Sequence, residues 1–289
     1  MYNPQFDTAR RPIHLLTPEG WSRALLGELL DRVDAVHAQY STSTPTGPGL
    51  RVMPLFFTQA QAGQDIVKLA AAWRNWQLVP APGELSVHHH TPAQIAQRAE
   101  QADVLVMSHP ASGAAHAVAA QMRTGVPVIN MLDGRHAQPL AAIADVAMLR
   151  SRLPELNTRV VVLCGDLVAD ARLRSVVHML TTLGVPRVNV VHAGTSLPED
   201  AAQLGIHVFT AAQSASAYEG AAAVITYASS RAACRTETGS LTALDARMVL
   251  HGAPAADLPS EPALALGAQP AIAQACVLVA AADMLTGSG

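Results

Sequence analysis

The feature that most constrains the fold is an alternation of short, apolar, β-prone runs with longer stretches whose apolar residues fall at helical spacing. Four runs come first: "LRVMPLFF" at 50–57, "WQLVP" at 76–80, "DVLVMS" at 103–108 and "PVINML" at 127–132. Segments around 62–74, 92–101 and 111–123 separate them and read as crossover helices. A second series follows: "RVVVLCGD" at 159–166, "RVNVVHAG" at 187–194, "IHVFTA" at 206–211, "AAVITYA" at 222–228 and "RMVLHGA" at 247–253. A parallel strand covered on both faces needs a nearly continuous apolar run, and a helix must carry the chain back before the next. The expected fold is therefore α/β: two doubly wound parallel-sheet domains joined by bridging helices. The expected division is 1–145 plus 268–289 against 146–267, with helices near 138–150 and 269–285 and an opening helix over 17–39. Thr17 is placed as N-cap of that first helix with Pro18 in its first turn, and "STSTPTGPG" at 41–49 reads as a linker.

Composition narrows the function classes. At 289 residues, two domains are the natural expectation, and a chain half hydrophobic and only 14% charged has ample core material. A net charge of −3 gives no electrostatic case for nucleic acid or an anionic membrane as partner. Three cysteines, Cys164, Cys234 and Cys276, lack C-x-x-C spacing, so neither a disulfide framework nor a thiolate metal site is expected. No apolar run is long enough to span a bilayer, and a cytoplasmic protein without cofactor or metal is the expectation. The chain has a single lysine, Lys68, so among cationic side chains only arginine is abundant for an anion site.

Two stretches carry a resemblance: "ADVLVMSHPASGAAHAVAAQ" at 102–121 and "VPVINMLDGRHAQPLAAIADVAML" at 126–149. They are similar to the catalytic chain of aspartate carbamoyltransferase, where the matching segments read roughly R-H-x-x-x-G-A-A and N-x-x-D-G-x-x-x-H-P-T-Q. "VVVLCGDLVADARLRS" at 160–175 resembles that family's next strand and G-D turn, and "HLLTPEGWSRALLGELLDRVDAV" at 14–36 its opening helix. The resemblance is collinear over nearly the whole chain. It implies a carbamoyl-phosphate-binding first domain, an aspartate-binding second domain, and a trimer with sites at subunit interfaces.

The same resemblance exposes what this chain lacks. The family's S-T-R-T-R phosphate motif follows a strand ending in F-F; here Phe57 is followed by Thr58, Gln59, Ala60, Gln61, Ala62, Gly63 and Gln64. The loop that should carry a lysine reads Ser86, Val87, His88, His89, His90. The R-H-P arginine is replaced by Ser108 before His109, and the H-P-T-Q histidine by Gln138. In the second domain the arginine expected after the Gly165–Asp166 turn aligns with Ala171, with Arg172 and Arg174 close by as substitutes. A second substrate arginine aligns with Tyr227, and H-P-x-P becomes His251, Gly252, Ala253, Pro254. Losing about four charge-assisted hydrogen bonds, at roughly 1.5–3 kcal/mol each, costs on the order of 6–12 kcal/mol, a ten-thousand-fold loss even at the lower end.

The expectation is a non-catalytic relative whose degenerate-site positions are Gln61, Gln64, Ser108, His109, Gln138 and Tyr227. Ligand-contact candidates are Thr58, Gln59, Gly63, His88, Asp166, Arg172, Arg174 and His251. The implied partners are further copies in a homotrimer, or a homologous active carbamoyltransferase in a mixed oligomer, with a small-molecule ligand as a further possibility. Alternatives are an enzyme of changed chemistry on a less charged substrate and a metabolite sensor. The run His88–His90 reads as a surface loop before a metal site, since adjacent residues on an extended loop diverge. "DGRH" at 133–136 reads as a turn before a ligand set, and Asp166 as structural first.

Overall fold

A computed structural model describes residues 3–40, 49–58, 60–80, 90–123, 125–153, 155–194, 196–197, 201–227, 249–251, 263–265 and 270–287. In chain order these form α1 (Arg23–Tyr40), β1 (Arg51–Phe56), α2 (Ala60–Arg74), β2 (Gln77–Leu78), α3 (Pro92–Ala99) and β3 (Val104–His109). Next come α4 (Ala114–Ala119), β4 (Val128–Asp133), α5 (Pro139–Arg152), β5 (Val160–Gly165), α6 (Ala171–Thr182) and β6 (Arg187–His192). The last are β7 (His207–Thr210), α7 (Ser214–Tyr218), β8 (Ala221–Thr226), β9 (Val249–His251), β10 (Ala263–Ala265) and α8 (Pro270–Thr286).

The chain divides into two compact units, Met1–Gly20 with Gly27–Ala144 and Ala271–Gly289, and Trp21–Leu26 with Asp145–Pro270. The first unit holds a four-stranded sheet in the order β2-β1-β3-β4, every pairing parallel. Its core is built from Met53, Leu55, Leu105, Met107 and Val128 of the strands against Ile95 of α3 and Val118 of α4. The second unit holds a six-stranded parallel sheet, β10-β9-β8-β5-β6-β7. Val162, Cys164, Val191 and Val224 pack there against Tyr218 of α7. The unbroken valine-rich runs are what burial on both faces of a parallel sheet demands.

Two departures from the sequence expectation have local causes. The first helix starts at Arg23, not at Thr17. Leu15 is drawn onto the edge of β4, donating to the Val128 carbonyl at 2.9 Å while its own carbonyl accepts from Asn130 at 2.8 Å. The amides of Leu16 and Thr17 are both satisfied by the Gln5 side chain, and Ser22 supplies the N-terminal side-chain acceptor, to Leu25 N–H at 3.2 Å. Helix α6 is the crossover that the second series of strands requires between β5 and β6; Asp170 caps it by accepting from the amides of Arg172 and Leu173. Strand β10 lies outside the expected β runs and, among the described strands, pairs with β9 alone. Elsewhere turn chemistry and sequence agree: Thr91 and Gln94 form a capping box at the start of α3, with Pro92 in its first turn.

Candidate functional site

In the first unit the chain steps from β1 outward to β2 and then across to β3 on the other side, so strand order reverses between β1 and β3. Ligands of open α/β sheets bind outside the carboxyl ends of strands at such a reversal. A cavity of about 70 Å³ lies there, lined by Ala62, Gly63 and Ile66 of α2, Ser108 and Met131 of the strand ends, and Gln138 and Gln274. None of these lining residues is charged. With liquid water occupying roughly 30 Å³ per molecule, the space holds about two waters or one small polyatomic group.

Local structure explains the shape. Ser108 is 2% exposed, sits at a register shift in the β3–β4 pairing, and donates its hydroxyl to the Thr58 carbonyl, while Phe57 N–H donates to the Ser108 carbonyl at 2.9 Å. The end of β1 is thereby tied to the end of β3. At Gly63 a Cβ would lie 3.0 Å from the Phe56 ring, so the glycine lets α2 approach β1 closely. Gln61 and Gln64 are exposed on α2 and do not line the cavity; the Gln61 amide donates to Asp65 at 2.8 Å. Gln59 and His88 lie outside the described residues.

Beside this cavity, at the carboxyl ends of β3 and β4, three histidines gather near one carboxylate. Asp133 is fully buried, with Oδ1 accepting from Ala137 N–H at 2.9 Å and Oδ2 from Gly113 N–H at 3.1 Å. This is the turn-forming role expected of "DGRH". His136 Nδ1 stands 3.2 Å from Asp133 Oδ2, and His116 Nδ1 4.0 Å from the same oxygen. His109 accepts from Ala111 N–H at 2.9 Å and packs edge-on against Phe57; burial holds its pKa below the ordinary histidine value, against the pull of the Asp133 charge. His116 is shifted the same way, first by burial and then by the neighbouring His136. The sequence does not single out His116, since one histidine in the alanine-rich "GAAHAVAA" carries no spacing signal.

The substitute cations of the second unit are engaged. Arg172 clamps Asp145 with both arms of its guanidinium, Nε to Oδ2 at 2.6 Å and Nη2 to Oδ1. The Tyr227 hydroxyl donates to the same carboxylate at 3.5 Å, and the Arg172 guanidinium lies 5.8 Å from the Tyr227 ring centroid. Burial pushes the Asp145 carboxyl upward and the guanidinium pulls it back, whereas Arg172, despite its own burial, holds its proton more tightly than in water because of that carboxylate. Arg172 is ionised in any case and bidentate to its partner. Arg174 donates to the carbonyls of Leu167 at 2.6 Å and Val168 at 2.8 Å, and Asp166 accepts from the amides of Val168 and Ala169, so both fix the turn after β5. His251 falls in β9, of which only the backbone is described.

Two parallel-sheet units, the first with a crevice at its strand-order reversal, define a two-domain α/β scaffold. Its fold is that of the aspartate carbamoyltransferases. Aspartate transcarbamoylase from Trypanosoma cruzi with phosphate superposes with a TM-score of 0.77 at 18% identity, over 93% of this chain and 94% of that one. The same enzyme with carbamoyl phosphate and aspartate gives 0.75 at 18%, covering 93% and 95%. With N-(phosphonacetyl)-L-aspartic acid it gives 0.75 at 18%, covering 96% and 97%. No protein-family model matches the chain. Among the described residues no helix is long and apolar enough to cross a membrane.

Proposed function

We propose that this chain is a non-catalytic protein on the aspartate carbamoyltransferase fold, acting as a structural or regulatory companion of an active carbamoyltransferase or of another enzyme of the same pathway. The observation that carries the reading is the cavity at the first strand-order reversal: it is small, and among the described residues none that lines it is a cation. Carbamoyl phosphate brings a dianionic phosphate, and holding it requires fixed positive charge or several aimed donors. The two arginines that resemblance offers as substitutes in the second unit are committed, Arg172 to Asp145 and Arg174 to backbone carbonyls. The further proposal on assembly is a homotrimer, or a mixed oligomer with an active homologue, in the cytoplasm.

The test is a paired assay on the purified chain: formation of carbamoyl aspartate, and thermal shift with carbamoyl phosphate, aspartate and N-(phosphonacetyl)-L-aspartate. The expected result is neither turnover nor shift. Turnover at ordinary enzymatic rates would overturn the reading. A second reading draws on the hydroxyl and two carboxamides at the cavity, Ser108, Gln138 and Gln274, which suit a small neutral ligand. A thermal shift with a neutral amide such as urea or acetamide, absent from Gln138→Leu, would favour a sensor.

A further inference from the structure

Among the described residues one group of three metal-ligating side chains has its donor atoms gathered within 4.8 Å of one another: His116, Asp133 and His136. They come from different elements, His116 from α4, Asp133 from the last position of β4, and His136 from the turn that follows. Two imidazoles and one carboxylate are a donor set suited to zinc and its transition-metal neighbours.

The distances fit an ion. With metal–nitrogen and metal–oxygen bonds of about 2.0–2.2 Å, neighbouring donors of a tetrahedral site lie roughly 3.3–3.5 Å apart. His136 Nδ1 and Asp133 Oδ2 are 3.2 Å apart already, and His116 Nδ1 stands 4.0 Å from that oxygen, so a small rotation of one ring closes the set. The two rings face each other edge-on with centroids 5.1 Å apart. The carboxylate is held in place by backbone donors, since Ala137 N–H fixes Oδ1 and Gly113 N–H fixes Oδ2, the kind of outer support that orients a metal ligand.

A second observation points the same way. His116 Nδ1 is buried and has no hydrogen-bond partner. An imidazole nitrogen shut away from water without a partner forfeits its hydration for nothing in return, and such groups are uncommon in folded proteins. Its nearest complement is the Asp133 carboxylate, beyond direct bonding reach. A cation between them satisfies both.

We infer that His116, Asp133 and His136 form a binding site for one divalent transition-metal ion, zinc by donor type. The side chains of His116 and His136 are 27% and 34% exposed, so the site lies close enough to the surface for an ion to enter, and a water or small ligand oxygen would complete the coordination. The ion ties α4 to the β4–α5 turn. This inference is independent of whether the chain catalyses carbamoyl transfer.

The experiment uses the full chain stripped with chelator, titrated with zinc by calorimetry and with cobalt by visible absorption. One ion per chain is expected, with the intense ligand-field bands of a four-coordinate cobalt site. His116→Ala and His136→Ala are each expected to weaken binding by roughly a hundredfold or more. A variant with alanine at His88, His89 and His90 is expected to bind as the parent does. No zinc binding at micromolar concentration would overturn the inference, and so would affinity unchanged in both single variants or lost only in the His88–His90 variant. Far-UV circular dichroism of the metal-free proteins checks folding; should His116→Ala misfold, His136→Ala, on a turn and one-third exposed, decides the matter.

Discussion

Replacing Arg172 by methionine should destabilise the second unit by about 3–5 kcal/mol, because it strands a carboxylate that has almost no access to water. Asp145 is 1% exposed, and its oxygens have the two guanidinium contacts and a long contact from Tyr227. Removing the guanidinium leaves a 3.5 Å hydroxyl contact as the main remaining compensation. The reverse change, Asp145→Asn, should cost less, about 2–3 kcal/mol, since the Arg172 side chain is 18% exposed and can be partly hydrated. The double change Asp145→Leu with Arg172→Met removes both charges and fills similar volume, so its stability should fall within about 1 kcal/mol of the parent or exceed it. Equilibrium urea denaturation read by circular dichroism, with the m-value checked for constancy, measures all four proteins. If Arg172→Met unfolds within about 0.5 kcal/mol of the parent, the pair is not holding the arginine and Arg172 is available to bind an anion.

Three other outcomes are expected. His14 is 3% exposed and accepts from Val128 N–H at 2.9 Å, and burial holds its pKa at about 4 against an ordinary 6.5. The unfolded chain therefore takes up a proton between pH 6.5 and 4 that the fold refuses; stability is fully present above the unfolded value and declines toward pH 4 by about 3 kcal/mol, a slope that His14→Leu should flatten. Gly134 has φ +56° and a Cβ there would lie 2.6 Å from the Pro110 carbonyl, so Gly134→Ala should cost about 2 kcal/mol or more and lower the melting temperature by several degrees. Ser108→Ala removes the hydroxyl that ties β3 to the Thr58 carbonyl and should cost about 1 kcal/mol by denaturant titration.

The strands are legible in the sequence because burial on both faces forces a simple code, and every predicted β run carries a strand of the structure. What fails to show is set by partners far away in sequence. Leu15 lies in the stretch expected to lead into a capped helix, yet its backbone is claimed by Val128 and Asn130 more than a hundred positions later. "ALA" at 263–265 has neither β-branching nor alternation and forms β10 only because β9 offers an edge. Asp145 is conspicuous as a lone acid inside the apolar "AAIADVAML", but nothing local names Arg172, 27 positions on, as its partner. The triad of His116, Asp133 and His136 is half visible in "DGRH"; its third member arrives by the packing of α4 beside β4.

The proposed loss of chemistry and the retention of fold share one physical origin. The energy that specifies this scaffold lies in fully buried strand positions such as Val104, Leu105, Val161 and Val162, while binding residues of open α/β sheets sit at strand ends and in the loops beyond them. A functional cation at such a position is stabilised by its ligand and, without one, must be hydrated or paired with an acid. Once no anionic ligand is bound, exchanging it for a small neutral residue costs the fold little, and pairing it with a neighbouring carboxylate removes it from the surface. Under the proposed function, Ser108, whose hydroxyl is turned back onto the Thr58 carbonyl, stands for the first route, and Arg172 held by Asp145 for the second. On this argument, restoring anion binding needs both routes reversed: an arginine at position 108 alone should leave affinity for N-(phosphonacetyl)-L-aspartate undetectable by thermal shift, because the second unit would still present no uncommitted guanidinium from Arg172 or Arg174.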